Sequence, residues 1–351
     1  MKKIIISAIL AAVLMFSAGV QSLYAQRGRA AQETIVVRLA SPLPRESPWG
    51  RTLDRVAAEW SRVTGGQVRM NVLHGGTEGS EGRMHVSLAS NTIQAAIFTT
   101  FGLSQINPSV MTMSAPFLIR SDEELEVVMR EVQTDLEATI NAGNYFMVAW
   151  SRSGFVNFFS RDPVFTPDDL RRLRIGSNIE AAEMNATFSA MGFQVIDTDW
   201  SDAGALLATG QITAMYQNPA GVAAFQLHSQ MRHMLSMNLA PILGGIVINQ
   251  VTWQRIGALN PRFQQELVRV TRQIAAEFDR DMQRTVDAAV ASMVRDGLTV
   301  NNPTQAQMQL WLNEIYRVKP ALLATTYDGV LYERINDILA RHRSGVIALY
   351  E

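Results

Sequence analysis

The chain has 351 residues, 47% of them hydrophobic and 18% charged, which is the composition of a globular protein long enough for two domains. Its formal net charge of −1 gives no global attraction for nucleic acid or for an anionic membrane, so no nucleic-acid partner is expected. The absence of cysteine excludes disulfides, thiol catalysis, zinc–thiolate sites and the cysteine that a bacterial lipoprotein would need.

The N-terminal segment has the pattern of a secretory signal peptide. Two lysines precede an apolar run from Ile4 to Met15, and the small residue Ala25 stands before Gln26. The apolar run is short for a membrane span, although an uncleaved anchor is the alternative. We expect residues 1–25 to be removed and the mature chain to be soluble outside the cytoplasm.

Strands and helices alternate along the rest of the chain, which predicts an α/β fold with mostly parallel sheets flanked by helices. Apolar and β-branched segments predict strands at 33–41, 68–73, 93–99, 145–150, 155–160, 173–175, 193–196, 212–216 and 243–251. Apolar residues at helical spacing predict helices at 49–64, 122–142, 181–191, 201–209, 304–318 and 328–342.

Residues 261–295 predict one long helix. The segment has no proline or glycine after Pro261, and an apolar stripe runs through it from Phe263 to Met282. At 1.5 Å per residue its length is roughly 50 Å, which is too long for one small lobe.

Residues 169–176, DLRRLRIG, resemble the "DLKGLKIR" signature of the substrate-binding proteins of TRAP transporters, which are periplasmic receptors for solutes. Further matches lie at GGTEGSE (75–81), PFL (116–118), GQITAMYQNP (210–219) and Asn249 with Trp253. The resemblance covers nearly all of residues 33–345. It implies a two-lobed periplasmic binding protein whose long spine helix joins both lobes.

The resemblance also implies the division of the chain. Residues 33–153 and 244–284 form lobe I, residues 154–243 and 285–351 form lobe II, and the ligand cleft lies between them. We expect hinges near Ser153–Gly154 and Leu243–Gly245, where the chain changes lobe and glycines are present.

In this family two arginines of the second lobe usually hold a ligand carboxylate, and both are missing here. The resemblance places Val156 and Gly176 at their positions. Arg152 and Arg174 are nearby substitutes, but structural roles for both are the simpler interpretation. Because a buried carboxylate needs such charge-assisted partners, we expect an apolar or neutral ligand.

The resemblance and the loop positions nominate a set of ligand contacts. Trp200 stands where an aromatic side chain usually covers the ligand, and Gln217 or Asn218 stands near the family's amide. The nominated residues are Glu78, Phe101, Phe155, Val156, Gly176, Asn178, Trp200, Gln217, Asn218 and Trp253.

No catalytic constellation is found, and no cofactor or metal is expected. The histidines lack metal-binding spacing, and the glycines of 75–79 are not followed by the lysine of a phosphate loop. A periplasmic hydrolase or isomerase is the alternative, with Glu78 and Glu81 as its only acid–base candidates. A sensor that signals to a membrane kinase would have the same fold.

The partners follow from the resemblance alone. They are a small-molecule ligand, an integral-membrane TRAP permease, and a periplasmic tetratricopeptide-repeat protein, since a branch of TRAP systems with an arginine-free cleft is paired with such a protein.

The signal segment gives the first prediction. Secreted protein should begin near Gln26, because the apolar run is short and is followed by a small residue at the cut. Intact-mass measurement of the secreted chain checks this, and a mass that retains residues 1–25 would contradict it.

Overall fold

The computed structural model describes residues 34–178, 181–198 and 202–350, with side chains described to residue 344. The predicted signal segment and Trp200 lie outside these residues. No described helix has the length and apolar character needed to cross a bilayer.

The strands of the described chain join one mixed sheet in the order β2-β1-β3-β9-β4-β7-β5-β6, and β8 pairs with β4 and β10. Their bounds are β1 (Ile35–Ala40), β2 (Val68–Leu73), β3 (Ala95–Thr99), β4 (Tyr145–Ser160), β5 (Arg174–Ser177), β6 (Gln194–Asp197), β7 (Ala214–Gln217), β8 (His233–Leu235), β9 (Ala240–Asn249) and β10 (Thr299–Asn301).

Helices cover the faces of the sheet. Their bounds are α1 (Pro48–Val63), α2 (Glu81–Ala89), α3 (Thr100–Ser104), α4 (Asp122–Ala142), α5 (Pro167–Arg171), α6 (Ala182–Ala190), α7 (Ala203–Thr209), α8 (Pro219–Ala224), α9 (Gln250–Leu259), α10 (Pro261–Arg295), α11 (Gln305–Thr325) and α12 (Gly329–Tyr350). Two 3-10 helices lie at Pro108–Ser114 and Leu227–Ser229. The predicted α/β fold with flanking helices is confirmed.

Strand β4 is one continuous element, whereas the sequence predicted separate strands at 145–150 and 155–160. It pairs with β9 from Tyr145 opposite Asn249 to Val156 opposite Ala240, with register shifts that include one between Arg152 and Phe155. The strand continues past the bulge because it pairs with β9, which is distant in sequence. Local sequence patterns do not show this pairing. Gly154, at φ 80°, supplies the bulge conformation.

The long helix α10 has the predicted bounds, and its apolar stripe is buried. It packs against α1 and β4 in lobe I and against α8 in lobe II. In lobe I, the Trp60 indole is fully buried and donates a 2.8 Å hydrogen bond to the Thr271 hydroxyl of α10. This bond satisfies the polar atom of the indole inside an apolar core.

The last two helices, α11 and α12, contact elements of both expected lobes. Helix α11 packs on α5 and α6 of lobe II, but α12 packs on α4 of lobe I. Ion pairs make this contact, since Arg341 lies 3.0 Å from Glu131 and Arg343 lies 2.8 Å from Glu124. Acids of α4 and bases of α12 are far apart in sequence, so helical periodicity alone could not pair them.

The turn between α11 and α12 is hydrogen-bonded to both lobes. The Tyr327 hydroxyl lies 2.9 Å from the Thr187 hydroxyl on α6. The next residue, Asp328, accepts a 2.7 Å bond from the Ser109 hydroxyl and donates its backbone N–H to Thr112. Two adjacent residues therefore connect lobe II to the 3-10 helix of lobe I.

Replacing the carboxylate of this turn should destabilise the fold. Asp328 also caps α12, because one of its oxygens accepts the backbone N–H groups of Val330 and Leu331. We expect Asp328→Ala to lower the free energy of unfolding by about 1–3 kcal/mol through loss of the cap and of the Ser109 bond. Urea unfolding checks this. Asp328→Asn is the matched control, because its amide oxygen can still cap the helix and it should lose less; equal losses in both variants would contradict the capping argument.

Candidate ligand-binding site

The carboxyl ends of strands from both lobes meet where the chain crosses between them. In lobe I, Thr99 at the end of β3 lies opposite Gly244 of β9. In lobe II, Gln217 at the end of β7 lies opposite Asn157 of β4. Asn157 is two residues past Phe155, where the pairing with β9 resumes after the bulge. Ligands of open α/β sheets bind at such edges, so this crossing is the candidate site.

The bulge of β4 forms the boundary between the lobes. Its Ser153 carbonyl accepts a 2.6 Å bond from the Asn218 side chain, and the Asn218 oxygen caps α8 by accepting from Ala220. Asn218 is buried, and both ends of its amide are used within the protein. Phe155 and Val156 follow the bulge and belong to the main apolar core, each exposing less than a tenth of its surface.

Arg152 has a structural partner. Its backbone N–H and its Nε donate to the two Asp279 carboxylate oxygens at 2.8 and 3.0 Å. Burial raises the pKa of the Asp279 carboxyl, and the bonds from Arg152 offset only part of that effect. The pair attaches the spine helix α10 to the lobe boundary.

Arg174 is engaged on the outer side of lobe II. Its Nε donates a 2.9 Å bond to the Gln211 carbonyl, and its terminal nitrogen donates to the Gly210 carbonyl. The side chain is exposed at the start of β5. The guanidinium groups of Arg152 and Arg174 are therefore both bound to partners within the protein.

Gly176 leaves no empty space for the missing arginine. A Cβ atom at this position would lie 2.6 Å from Cδ1 of Ile212 and 3.3 Å from the Thr198 hydroxyl. The Ile212 side chain therefore occupies the space where a larger residue at 176 would begin. Reinstating an arginine here would require Ile212 to move.

A hydrogen-bonded polar network lies at the lobe II edge. The Ser177 hydroxyl donates to the Asn185 side chain and lies 3.1 Å from the Tyr216 hydroxyl. Asn185 in turn donates to the Asn178 carbonyl and to Asp197, each at 3.2 Å. Burial raises the pKa of Tyr216 to about 12, so the phenol is uncharged at neutral pH. Sequence reasoning missed Ser177 and Tyr216, although both end strands at the ligand edge.

On the lobe I side, Phe101 lies in the short helix α3, which follows β3. Its side chain packs against the apolar core and is partly exposed. Glu78 lies in the loop after β2, 3.4 Å from Arg38. Gln217 at the end of β7 accepts the backbone N–H of Asn218.

Two tryptophans near the lobe boundary and in the lobe I core make contacts that the sequence did not indicate. Trp253 is 5% exposed and stacks on Phe146 with ring centroids 4.3 Å apart, so it belongs to the lobe I core and not to the cleft. Its helix α9 begins one residue after β9 and packs the indole onto the sheet face. Trp49, which sequence reasoning did not nominate, donates a 3.1 Å bond from Nε1 to the Ser153 hydroxyl. Its place in the first turn of α1, just after the loop that follows β1, was the available signal.

Within the described ranges, no group of three or more His, Asp or Glu side chains is arranged to hold a metal ion. The arrangement at the lobe boundary is a set of apolar side chains together with polar and charged groups that are paired within the protein. Such a surface suits binding rather than proton transfer.

Comparison with known proteins identifies the family. Residues 39–321 match the family described as bacterial extracellular solute-binding protein, family 7. The chain belongs to this family. Its members are solute-binding receptors, so the protein is a receptor and not an enzyme, and the hydrolase or isomerase alternative is wrong.

Curated relatives of this family 7 receptor are distant. The chain is 25% identical over 234 residues to the 2,3-diketo-L-gulonate-binding periplasmic protein YiaO of Escherichia coli K12, covering 64% of this chain and 69% of that protein. It is 22% identical over 296 residues to a solute-binding protein of Chromohalobacter salexigens, covering 81% and 86% of the two chains.

Solved structures share the fold of the receptor. A TRAP periplasmic solute-binding protein of Ralstonia eutropha H16 with bound (S)-2-acetolactate has a TM-score of 0.79 at 18% identity, covering 87% of this chain and 99% of that one. One from a Sulfitobacter species with bound β-D-galacturonate has a TM-score of 0.76 at 15% identity, covering 86% and 98%. These likenesses confirm the two-lobed receptor fold.

The buried phenol gives a pH prediction. Because the pKa of Tyr216 is about 12 in the folded chain and near 10 when exposed, folding opposes its ionisation. Its contribution to stability is complete below about pH 10 and is lost as the pH rises toward about 12. Tyr216→Phe should cost about 1 kcal/mol at pH 7 through loss of the Ser177 bond, and the deficit should shrink above pH 10.

Urea unfolding at pH 7 and at pH 10.5 measures both values. Tyr316→Phe, at a residue that is 63% exposed, is the control and should change stability little at either pH. A deficit of Tyr216→Phe that stays constant between the two pH values would refute the argument.

Proposed function

We propose that this receptor serves a TRAP transporter and holds a neutral or apolar ligand between its lobes. The observation that carries the proposal is that both arginines considered as substitutes for the clamp are engaged within the protein, Arg152 by Asp279 and Arg174 by backbone carbonyls. With Val156 and Gly176 at the positions of the family's clamp, the carboxylate of a ligand would have no matched cation there.

Without the two arginines a carboxylate loses favourable hydrogen bonds, while the cost of removing it from water remains. A charge-assisted hydrogen bond contributes about 1.5–3 kcal/mol net, so two missing arginines remove roughly 3–6 kcal/mol of affinity for a carboxylate. The cost of removing that carboxylate from water stays the same. An apolar ligand instead gains about 25 cal/mol for each Å² of its surface that leaves water.

Several residues support an apolar surface at this edge. Phe101 lies partly exposed at the end of β3, and Val156 is 9% exposed just past the bulge of β4. Ser177 and Tyr216 satisfy each other, so they offer little to a charged ligand. Asn178, Gln217 and the backbone around Ser153 are the proposed polar contacts, and Trp200 remains a proposed cover for the ligand.

The related structures contain acids such as galacturonate, glucuronate and acetolactate. Those ligands belong to proteins that are at most 18% identical to this chain. The substitutions at 156 and 176 are the reason to expect a different ligand class here.

Delivery to a membrane permease is the role that family membership supports. We propose a periplasmic location with removal of the signal segment, in agreement with the description of the family as extracellular. A periplasmic tetratricopeptide-repeat partner is a further element of the proposal and rests on the arginine-free cleft.

Ligand identity tests the proposal. Native mass spectrometry of protein purified from cells should show a neutral or apolar molecule that co-purifies. Calorimetry with D-glucuronate should show no micromolar binding, because the carboxylate would be desolvated without its cationic partners.

The variant Val156→Arg, with Val156→Leu as a control for size, should bind D-glucuronate more tightly than the unaltered chain. Micromolar binding of D-glucuronate by the unaltered protein, or a co-purified multiply charged acid, would overturn the proposal.

A further inference from the structure

Glu81 reaches from its own helix to the end of a neighbouring strand. It is the first residue of α2, and its two carboxylate oxygens accept the backbone N–H of Thr99 at 3.2 and 3.1 Å. The Thr99 hydroxyl donates a further bond of 3.0 Å to the same carboxylate. Thr99 ends β3, so Glu81 supplies the acceptor for an N–H group at the edge of the sheet.

The bonds continue from Thr99 to Phe101. The Thr99 hydroxyl accepts the backbone N–H of Phe101 at 3.3 Å and so caps α3. This helix has five residues, which is too short to be stable without outside contacts. The group that holds Thr99 is therefore one of the contacts that fix α3 and the Phe101 ring on it, beside the bond from the Thr100 hydroxyl to the Leu243 carbonyl.

Packing fixes the same segment from the other side. A Cβ atom on Gly102 would lie 2.2 Å from a Glu81 carboxylate oxygen and 2.3 Å from the Phe98 ring. The backbone of α3 thus lies directly against the carboxylate. Any movement of the Glu81 side chain is transmitted to the turn that carries Phe101.

We propose that Glu81 is a positioning residue for ligand binding, which acts through Thr99 to hold the Phe101 ring at the ligand edge of lobe I. The inference rests on the proposed function, because it takes Phe101 as an apolar contact of the ligand. Glu81 therefore affects the affinity for ligands with an apolar surface by holding Thr99, and its carboxylate does not contact the ligand.

A double-mutant cycle tests this role with the neutral apolar dye N-phenyl-1-naphthylamine as the probe. The variants are Glu81→Gln, Phe101→Ala and the combination. Glu81→Gln keeps the size of the side chain but turns an amide NH₂ toward N–H and O–H donors, so it should weaken dye binding about tenfold by loss of a charge-assisted bond.

If Glu81 acts through Phe101, Glu81→Gln should cause no further loss in the Phe101→Ala background. Thr99→Val, which removes only the linking hydroxyl, should weaken binding in the same direction. Glu59→Gln is the control, since it removes a carboxylate that pairs with Arg62 on α1, away from the ligand edge. Losses that add fully in the double variant, or equal losses in Glu59→Gln and Glu81→Gln, would overturn the inference.

Amide hydrogen exchange gives a second measurement that does not depend on the ligand class. The amides of Thr99 and Phe101 should exchange faster in Glu81→Gln than in the unaltered protein and in Glu59→Gln. Failure of the dye to bind the unaltered protein would count against the proposed apolar ligand. Unchanged exchange at Thr99 and Phe101 would count against the positioning role, so the two failures can be distinguished.

Discussion

The structure depends on the pairing of β4 with β9. These strands run antiparallel from Tyr145 opposite Asn249 to Val156 opposite Ala240, through both lobes. They turn what would be two sheets into one, and the bulge at Gly154 is where the sheet changes lobe. The ligand edges of both lobes are built onto this pair, since β3 adds to β9 and β7 adds to β4.

Charge and packing take complementary roles around this pair. Arg152 is committed to Asp279 of the spine helix, so a cation at the boundary strengthens the connection between lobes. At 176 the neighbouring Ile212 fills the space against the glycine.

Local signals were sufficient to predict several elements. Helix α10 was predicted with its bounds because Pro261 begins it, an apolar stripe continues through it, and no helix breaker follows. Motifs separated along the chain were sufficient to predict the family, which the match over residues 39–321 confirms.

Long-range contacts explain what the sequence did not predict. The continuity of β4 needs β9, and the partner of Arg152 lies 127 residues away. Burial of Trp253 depends on Phe146, and the attachment of α12 to lobe I depends on acids of α4. The contacts of Trp49 and Glu81 at the lobe boundary likewise depend on the fold, because nothing near them in sequence indicates Ser153 or Thr99 as partners.

The order of strands also has a consequence for the sequence of events during synthesis. Strand β9 lies between β3 and β4, so the first 160 residues contain both neighbours but not the strand that joins them. Lobe I then has an open gap in its sheet until residue 249 has been made, and its spine helix is completed only at residue 295. Because lobe I needs β9 and α10, which follow β5 to β8 along the chain, it cannot be complete before most of lobe II has been made.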